Sequence, residues 1–478
     1  MVNGPAVAVP SLPATAWAPP SSPDLEAPAD RQQAPAAYAR RIATTRRAFS
    51  ASLWGSAPAR SQNRFASFTS ATATRYPGPD VARGFMLLLI ALANVPFWML
   101  LLPRNPAPSG LDQAWLLLRG ALVDSRSYPL FALLFGFGLA TISRRRVEAK
   151  VQLAAVALPR NLDGALRAQR LEQAQAAGVV EARRLLRRRG WWMLLFGLVH
   201  GAMFPGEIIG TYSLLAVLLA GVVAARRWRL MLAASTVVVL LNLGVFLQMG
   251  WVLQDPAGTA LTAAGAVSAQ LTLSPLALLQ NLGQWAVGTV LTLLMSLALP
   301  AACLGVRLAE SSLLRRPDLH RRALVTGGLL ALSVGAVGSL PFTLLLSGHF
   351  LPTWLGVLAP VVNGLTGFLG AVGWLSLLVA WAGPATEAPL RGARWLLAAV
   401  GRRSMTAYVG QTLVFLGVFS AWLALGVQGV SAVLAAVVAV GAWVVLALLC
   451  ALMERSGWRR GPLEVLLRRA VAVSARRP

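Results

Sequence analysis

The sequence predicts an all-α, polytopic helical membrane protein of about ten transmembrane helices with both termini in the cytoplasm, and three observations carry that prediction. Of the 478 residues, 56% are hydrophobic and only 13% are charged, too apolar a composition for a soluble chain of this length. The apolar residues gather into runs of membrane-spanning length, and Arg-rich segments at 144–189, 226–229, 307–322, 391–403 and after Glu454 punctuate every second connection. The connections between them, 205–207, 253–283, 347–353 and 426–431, contain no Lys or Arg, and only 103–126 is mixed. An odd number of spans would break this alternation from the miscounted helix onward.

Composition also bounds the partners. The formal net charge is +26, but the basic residues sit in short clusters between apolar runs, where the positive-inside bias and anionic lipid account for them. Membrane lipid is therefore the expected partner. Nucleic acid is not, because no basic module interleaved with aromatics is present. Cys303 and Cys450 both fall inside apolar runs, which leaves no disulfide framework and no thiolate metal site. The histidines His200, His320 and His349 form no His-x-x-x-His pair, so no metal site is expected. Lys150 is the sole lysine, a bias that reads as a GC-rich bacterial genome and places the multi-pass chain in the bacterial cell inner membrane.

Residues 1–74 are rich in Pro, Ala, Ser and Arg without periodicity, the composition of a disordered cytoplasmic tail. The acid-free stretch 36–76 resembles an organellar transit peptide in composition, an alternative outweighed by Asp24, Glu26 and Asp30 upstream. The transmembrane domain covers 75–456. Its first span, Gly84 to Leu102, stops at Pro103-Arg104-Asn105-Pro106, and an interfacial helix over Leu111 to Val123 leads to a second span, Ser127 to Ile142. The charged, helix-compatible loop 143–189 is cytoplasmic. Next comes a hairpin, apolar from Trp191 to Phe204, turning at Pro205-Gly206 and apolar again from Ile208 to Ala224, with arginines at both feet. Further spans lie near Leu230 to Val252, Gln284 to Val306, Ala323 to Leu346, Trp354 to Trp381, Met405 to Leu425 and Val433 to Met453, and 457–478 is a basic cytoplasmic end. No fixed-period repeat and no inverted pair of Gly/Pro-broken helices is visible.

The hairpin tip holds His200 and Glu207, residue types costly in hydrocarbon and functional by default there. His200 lies four residues before the turn, about 6 Å of helix rise, so a carboxylate at 207 can orient a neutral imidazole and stabilise its imidazolium. That would make His200 a general base or a transient acyl carrier. The plainer reading has His200 bonding a neighbouring helix and Glu207 serving as a first-turn acid favoured by the helix dipole. Asn94, Tyr212, Tyr408 and Gln411 are intramembrane polar groups that either glue helices together or line a substrate site. Asp124 and Arg126, at the outer end of the second span, either pair with each other or line an outer cleft with His200 and Glu207. At the opposite end, Arg83 and Arg402 stand at the feet of their spans, where they snorkel to lipid phosphates or hold the phosphates of a large anionic substrate.

These residues fall in five ordered segments that together resemble the YeiB family of bacterial inner-membrane proteins. They are Asp80-Val-Ala-Arg83-Gly84-Phe85; Pro129-Leu-Phe-Ala-Leu-Leu-Phe135-Gly136-Phe-Gly138; the hairpin with His200 and then Glu207-Ile-Ile-Gly-Thr-Tyr212; Gly401-Arg402 with Thr406, Tyr408 and Gln411; and Gly461-Pro462-Leu463-Glu464 with Arg468. Glu207, Ala132 and Ala407 stand where the family has Asp, Ser and Asn. The resemblance extends to transmembrane acyltransferases of the heparan-glucosaminide N-acetyltransferase type, although no histidine lies between Leu102 and Ser127, where those enzymes carry theirs. It implies a donor substrate, acyl-CoA, held by Arg83 and Arg402 without any tightly bound cofactor. His200 and Glu207 would then act on an envelope glycan, lipid or small-metabolite acceptor. A proton-coupled permease using the same pair, and a helical platform for protein partners, are the alternatives from other classes.

Overall fold

A computed structural model describes residues 76–159, 161–254, 275–385 and 389–475. The chain divides into two units, Met1–Ala73 and Thr74–Pro478; the tail expected over 1–74 lies outside the described residues. The described part of the second unit is all-helical, with no strand. Helix α1 (Pro77–Met99) is followed by the short α2 (Gly110–Leu122), then by two long helices, α3 (Ser127–Ala157) and α4 (Gly164–Met203). Next come α5 (Ile209–Ala224), α6 (Trp228–Val252), α7 (Pro275–Leu294), α8 (Ala298–Glu310), α9 (Arg321–Leu346) and α10 (Thr353–Ala382). Helices α11 (Gly392–Gly401), α12 (Ser404–Ala424), α13 (Ala432–Arg455) and α14 (Pro462–Val473) complete the bundle.

Among the described residues, six helices are long and apolar enough to cross a bilayer (α1, α6, α9, α10, α12 and α13), and α7 with α8 makes a seventh if the bent pair is one span. The expected count of about ten included three more apolar runs. Two of these occupy only one end of α3 and α4, helices of 31 and 40 residues whose other ends are charged; the third is α5, with 16 residues. Each of these apolar runs is shorter than the roughly 20 residues of a standard crossing, so length and composition alone support six or seven spans among the described residues. The charged segment 143–189 is therefore no simple loop: α3 and α4 run through most of it, joined there by Lys150 to Glu181 at 2.6 Å and Arg146 to Glu181 at 3.2 Å.

The span expected over Gln284 to Val306 is broken. Helices α7 and α8 meet at 59°, and the reason lies just downstream: Pro300 has no N–H to offer Ser296, so α7 cannot continue through it, whereas a proline fits the first turn of α8. Serine at the break repairs part of the loss, since Ser296 Oγ accepts from Ala298 N at 3.2 Å. Helix α8 is then held by close backbone contact with α3. A side chain at Gly136 would overlap the Ala302 carbonyl, and one at Gly305 the Leu133 carbonyl, so each helix needs a glycine where the other's backbone arrives. Helix α1 is the most enclosed of the spans; Met86, Leu87, Ala91 and Trp98 on it are fully buried.

Candidate functional site

Helix α4 ends because Phe204 turns extended and Pro205-Gly206 follow. This leaves His200 in the last turn and Glu207 just ahead of α5. The Glu207 carboxylate accepts the Ile209 N–H at 2.6 Å and the Gly210 N–H at 2.7 Å, two of the donors that a helix start leaves unsatisfied. It also accepts the indole N–H of Trp285 from α7. The indole reaches it across Gly201, where any side chain would overlap the ring. His200 is 2% exposed and Glu207 is 5%, and their closest approach is 3.6 Å, from Nδ1 to Oε2. The other imidazole nitrogen, Nε2, shares a hydrogen bond with the Thr412 hydroxyl of α12 at 2.8 Å. One turn earlier on α12, Tyr408 sets its ring edge-on to the imidazole at 5.1 Å.

A cavity of about 430 Å³ opens beside this cluster. Its polar lining includes Asn94 of α1, Asp124, Ser125 and Tyr128 at the start of α3, Ser296 at the α7–α8 break, and Asn363 of α10. Ile208, next to Glu207, forms part of the wall. The Tyr408 hydroxyl faces Asn94 and the Ile208 backbone, so Tyr408 links the imidazole to the cavity wall. Ser125 has φ of 59°, a left-handed conformation uncommon outside glycine and concentrated at functional positions. Its hydroxyl accepts from Asn363 Nδ2 at 2.9 Å.

The two residues expected to pair at the outer end of α3 do not pair side chain to side chain. Asp124 takes Arg119 at 2.9 Å, while Arg126 is fully buried and donates to the backbone carbonyls of Gly120, Asp124 and Gly335. Arg126 thus ties α2, α3 and α9 together. Tyr212 is buried against Phe131 and Phe135 and donates to the Tyr128 carbonyl at 2.8 Å. Gln411 donates to the Leu87 carbonyl at 2.9 Å, joining α12 to α1.

Basic groups collect at the opposite end of the same helices. Arg83 lies 3.4 Å from Asp80 and donates to the Leu134 carbonyl. Arg189 of α4 is within electrostatic reach of Arg83, of Arg468 on α14 and of Glu464. Withdrawal from water and the charges of Arg468 and Arg83 bring its pKa down to about 10, which leaves it cationic at neutral pH. Arg402 is held by Glu454 at 2.8 Å, and the buried Arg403 reaches the same carboxylate at 2.8 Å. The chain therefore gathers Arg83 with Arg189 and Arg468, and directs Arg402 at an acid.

Thr412, Trp285, Ser125 and Tyr128 carried no signal in the sequence. Thr412 and Trp285 lie 212 and 78 residues from their partners, and the conformation of Ser125 follows from packing. Arg189 and Arg468 were visible only as members of a basic cluster and a closing motif.

Fold and composition together define an all-helical membrane protein. Residues 308–474, from the end of α8 through α14, match a family model described as "Protein of unknown function (DUF418)", a family of membrane-associated proteins. The match includes Tyr408, Thr412 and Arg468 and leaves His200 and Glu207 outside it. No curated protein and no solved structure matches the chain.

Proposed function

We propose that this is a ten-span protein of the bacterial inner membrane, of YeiB-family type, with both termini in the cytoplasm, and that it moves an acyl group from cytoplasmic acyl-CoA to an envelope glycan, lipid or small-metabolite acceptor. The observation that carries this reading is the polarity of α1 and α4. Each bears an arginine near its foot, Arg83 or Arg189, and a polar group facing the cavity or the His–Glu pair, Asn94 or His200, eleven residues further on, about 16 Å of helix rise. A donor whose phosphates rest on Arg83, Arg189 and Arg468 can extend its pantetheine arm over that distance and bring its thioester to the far end.

In this reading His200 takes the proton of the acceptor hydroxyl or amine as that oxygen or nitrogen attacks the thioester carbonyl. The carbon–sulfur bond breaks, and the departing CoA thiolate receives the proton from the imidazolium. Glu207, fixed by three N–H donors, stabilises the imidazolium in between. His200 lies behind Tyr408 from the cavity, so Tyr408 acts as the gate between acceptor and base. No cofactor is held tightly; acyl-CoA is a substrate.

The test is binding of acetyl-CoA and of a longer acyl-CoA to the full chain in nanodiscs, with Arg83→Ala, Arg189→Ala and His200→Ala alongside. Binding should fall in the two arginine variants and persist in His200→Ala. If folded wild-type protein binds no acyl-CoA, the reading is wrong.

A second reading, a proton-coupled permease, draws on the α7–α8 break, because spans interrupted beside a central cavity are how many transporters place their substrate site. It requires substrate movement in proteoliposomes without any acyl donor.

A further inference from the structure

A second cavity, about 410 Å³ in volume, lies between α4 and α5, away from the His–Glu pair. Its walls are apolar, chiefly Val180 of α4 with Val217 and Leu218 of α5, and its polar lining consists of three guanidinium groups, Arg183, Arg187 and Arg227. Helix register sets its depth. Gly190 of α4 packs on Ser213 and Val217 of α5, while Arg183, two turns back along α4, lies across Gly221. The arginines thus stand beside a part of α5 that stays apolar to Ala224, with Leu218 59% and Val180 48% exposed. A row of arginines alongside exposed leucine and valine marks the boundary between lipid headgroups and acyl chains.

Charge identifies the occupant. The neighbouring Arg226 is matched by Glu310 at 2.5 Å, but Arg183, Arg187 and Arg227 have no acidic partner among the described residues. Three unmatched cations around an apolar groove call for a ligand that is anionic at one end and apolar at the other. A soluble anion would leave Leu218 and Val180 uncovered, and a zwitterionic lipid would bring its own cation among the arginines. We propose that this groove binds one anionic phospholipid, its phosphodiester between Arg183, Arg187 and Arg227 and an acyl chain along Val217 and Leu218. The site is independent of the acyl-transfer reading.

The experiment is native mass spectrometry of the full chain released from nanodiscs of phosphatidylethanolamine and phosphatidylglycerol. Wild type should keep one phosphatidylglycerol through delipidation. Arg183→Gln/Arg187→Gln/Arg227→Gln should lower that occupancy on the order of tenfold or more, while Arg321→Gln/Arg322→Gln/Arg391→Gln, the same loss of charge elsewhere, should keep it. Gly221→Leu fills the groove and keeps every arginine. A β-carbon at 221 meets only the Arg183 side chain, at 3.5 Å or more, so the variant should fold and also lose the lipid. Wild-type retention in Gly221→Leu, equal loss in both triple variants, equal uptake of phosphatidylethanolamine, or a dimer that covers the groove would each overturn the proposal.

Discussion

Replacing Glu207 probes the site most directly, because its carboxylate holds the hairpin together as well as facing His200. In Glu207→Ala three buried donors, the N–H groups of Ile209, Gly210 and Trp285, lose their acceptor. At about 1–3 kcal/mol for each unsatisfied buried donor, the loss is at least about 3 kcal/mol, and the N-terminus of α5 forfeits a favourable charge as well. Glu207→Gln keeps one acceptor oxygen but turns an amide N–H₂ toward a donor, so about 1–3 kcal/mol is expected. Unfolding in mixed micelles by added SDS, followed by helical circular dichroism, should rank wild type above Gln and Gln above Ala. Trp285→Phe removes one of the three donors, so Glu207→Ala should cost about 1 kcal/mol less in that background than in wild type. A Glu207→Ala protein within about 0.5 kcal/mol of wild type would refute the capping argument. The same bookkeeping makes Glu207→Ala a poor probe of chemistry and His200→Ala, which gives up one bond to Thr412, the better one.

Gly136→Ala or Gly305→Ala should destabilise by more than 1 kcal/mol, about the lower end of overpacking costs, since each new methyl meets a backbone carbonyl across the α3–α8 contact; Gly441→Ala, with open space around it, should be neutral or stabilising in the same titration. Ser125→Val should cost about 1–2 kcal/mol because a β-branched residue is forced to positive φ, and Ser125→Gly should keep the fold but lose the bond from Asn363. The Glu181 carboxyl is held below its usual range, first by its hydrogen bond from Lys150 and then by the charges of Arg146 and Lys150. Its folded pKa is depressed, so its contribution is present above the ordinary carboxyl pKa and disappears as pH falls through the lowered value; the pair is partly exposed, so the effect should stay under about 1 kcal/mol. Protection factors along α3 and α4, which divide out the intrinsic pH dependence of exchange, should therefore fall below about pH 4 and in Lys150→Ala at neutral pH.

What the sequence made legible is local, and what it hid is not. The Pro205-Gly206 turn, the helix after it and the short helix near residue 111 appear within a residue or two of their expected places, because turn residues and caps act over a few positions; Ser109 and Asp112, for example, form a complete capping box. The segment 143–189 showed its charge and its helical compatibility, but not that its two helices continue the flanking apolar runs without a break. The α7–α8 break is not marked where it occurs, because the proline that causes it sits four residues beyond the kinked position. In the site, His200 and Glu207 could be paired from their spacing around one turn, whereas Thr412, Trp285 and the gathering of Arg83, Arg189 and Arg468 are products of helix packing.

The arrangement around Glu207 bears on what His200 can do. A carboxylate that oriented the imidazole directly would give its best lone pair to Nδ1–H, but here those lone pairs go to Ile209, Gly210 and Trp285, and Nδ1 lies 3.6 Å away without a hydrogen-bond partner. Thr412, through Nε2, holds the ring in its place. The carboxylate is therefore held by the start of α5 and by α7 without any contribution from the histidine, and it stands 3.6 Å from Nδ1. Thr412 satisfies only one of the two ring nitrogens, and Nδ1, on the side of the carboxylate, is left without a hydrogen-bond partner. The proposed acyl-transfer and permease readings both call on His200 to exchange a proton, and both place that exchange at Nδ1, beside a carboxylate whose position is set by helix capping.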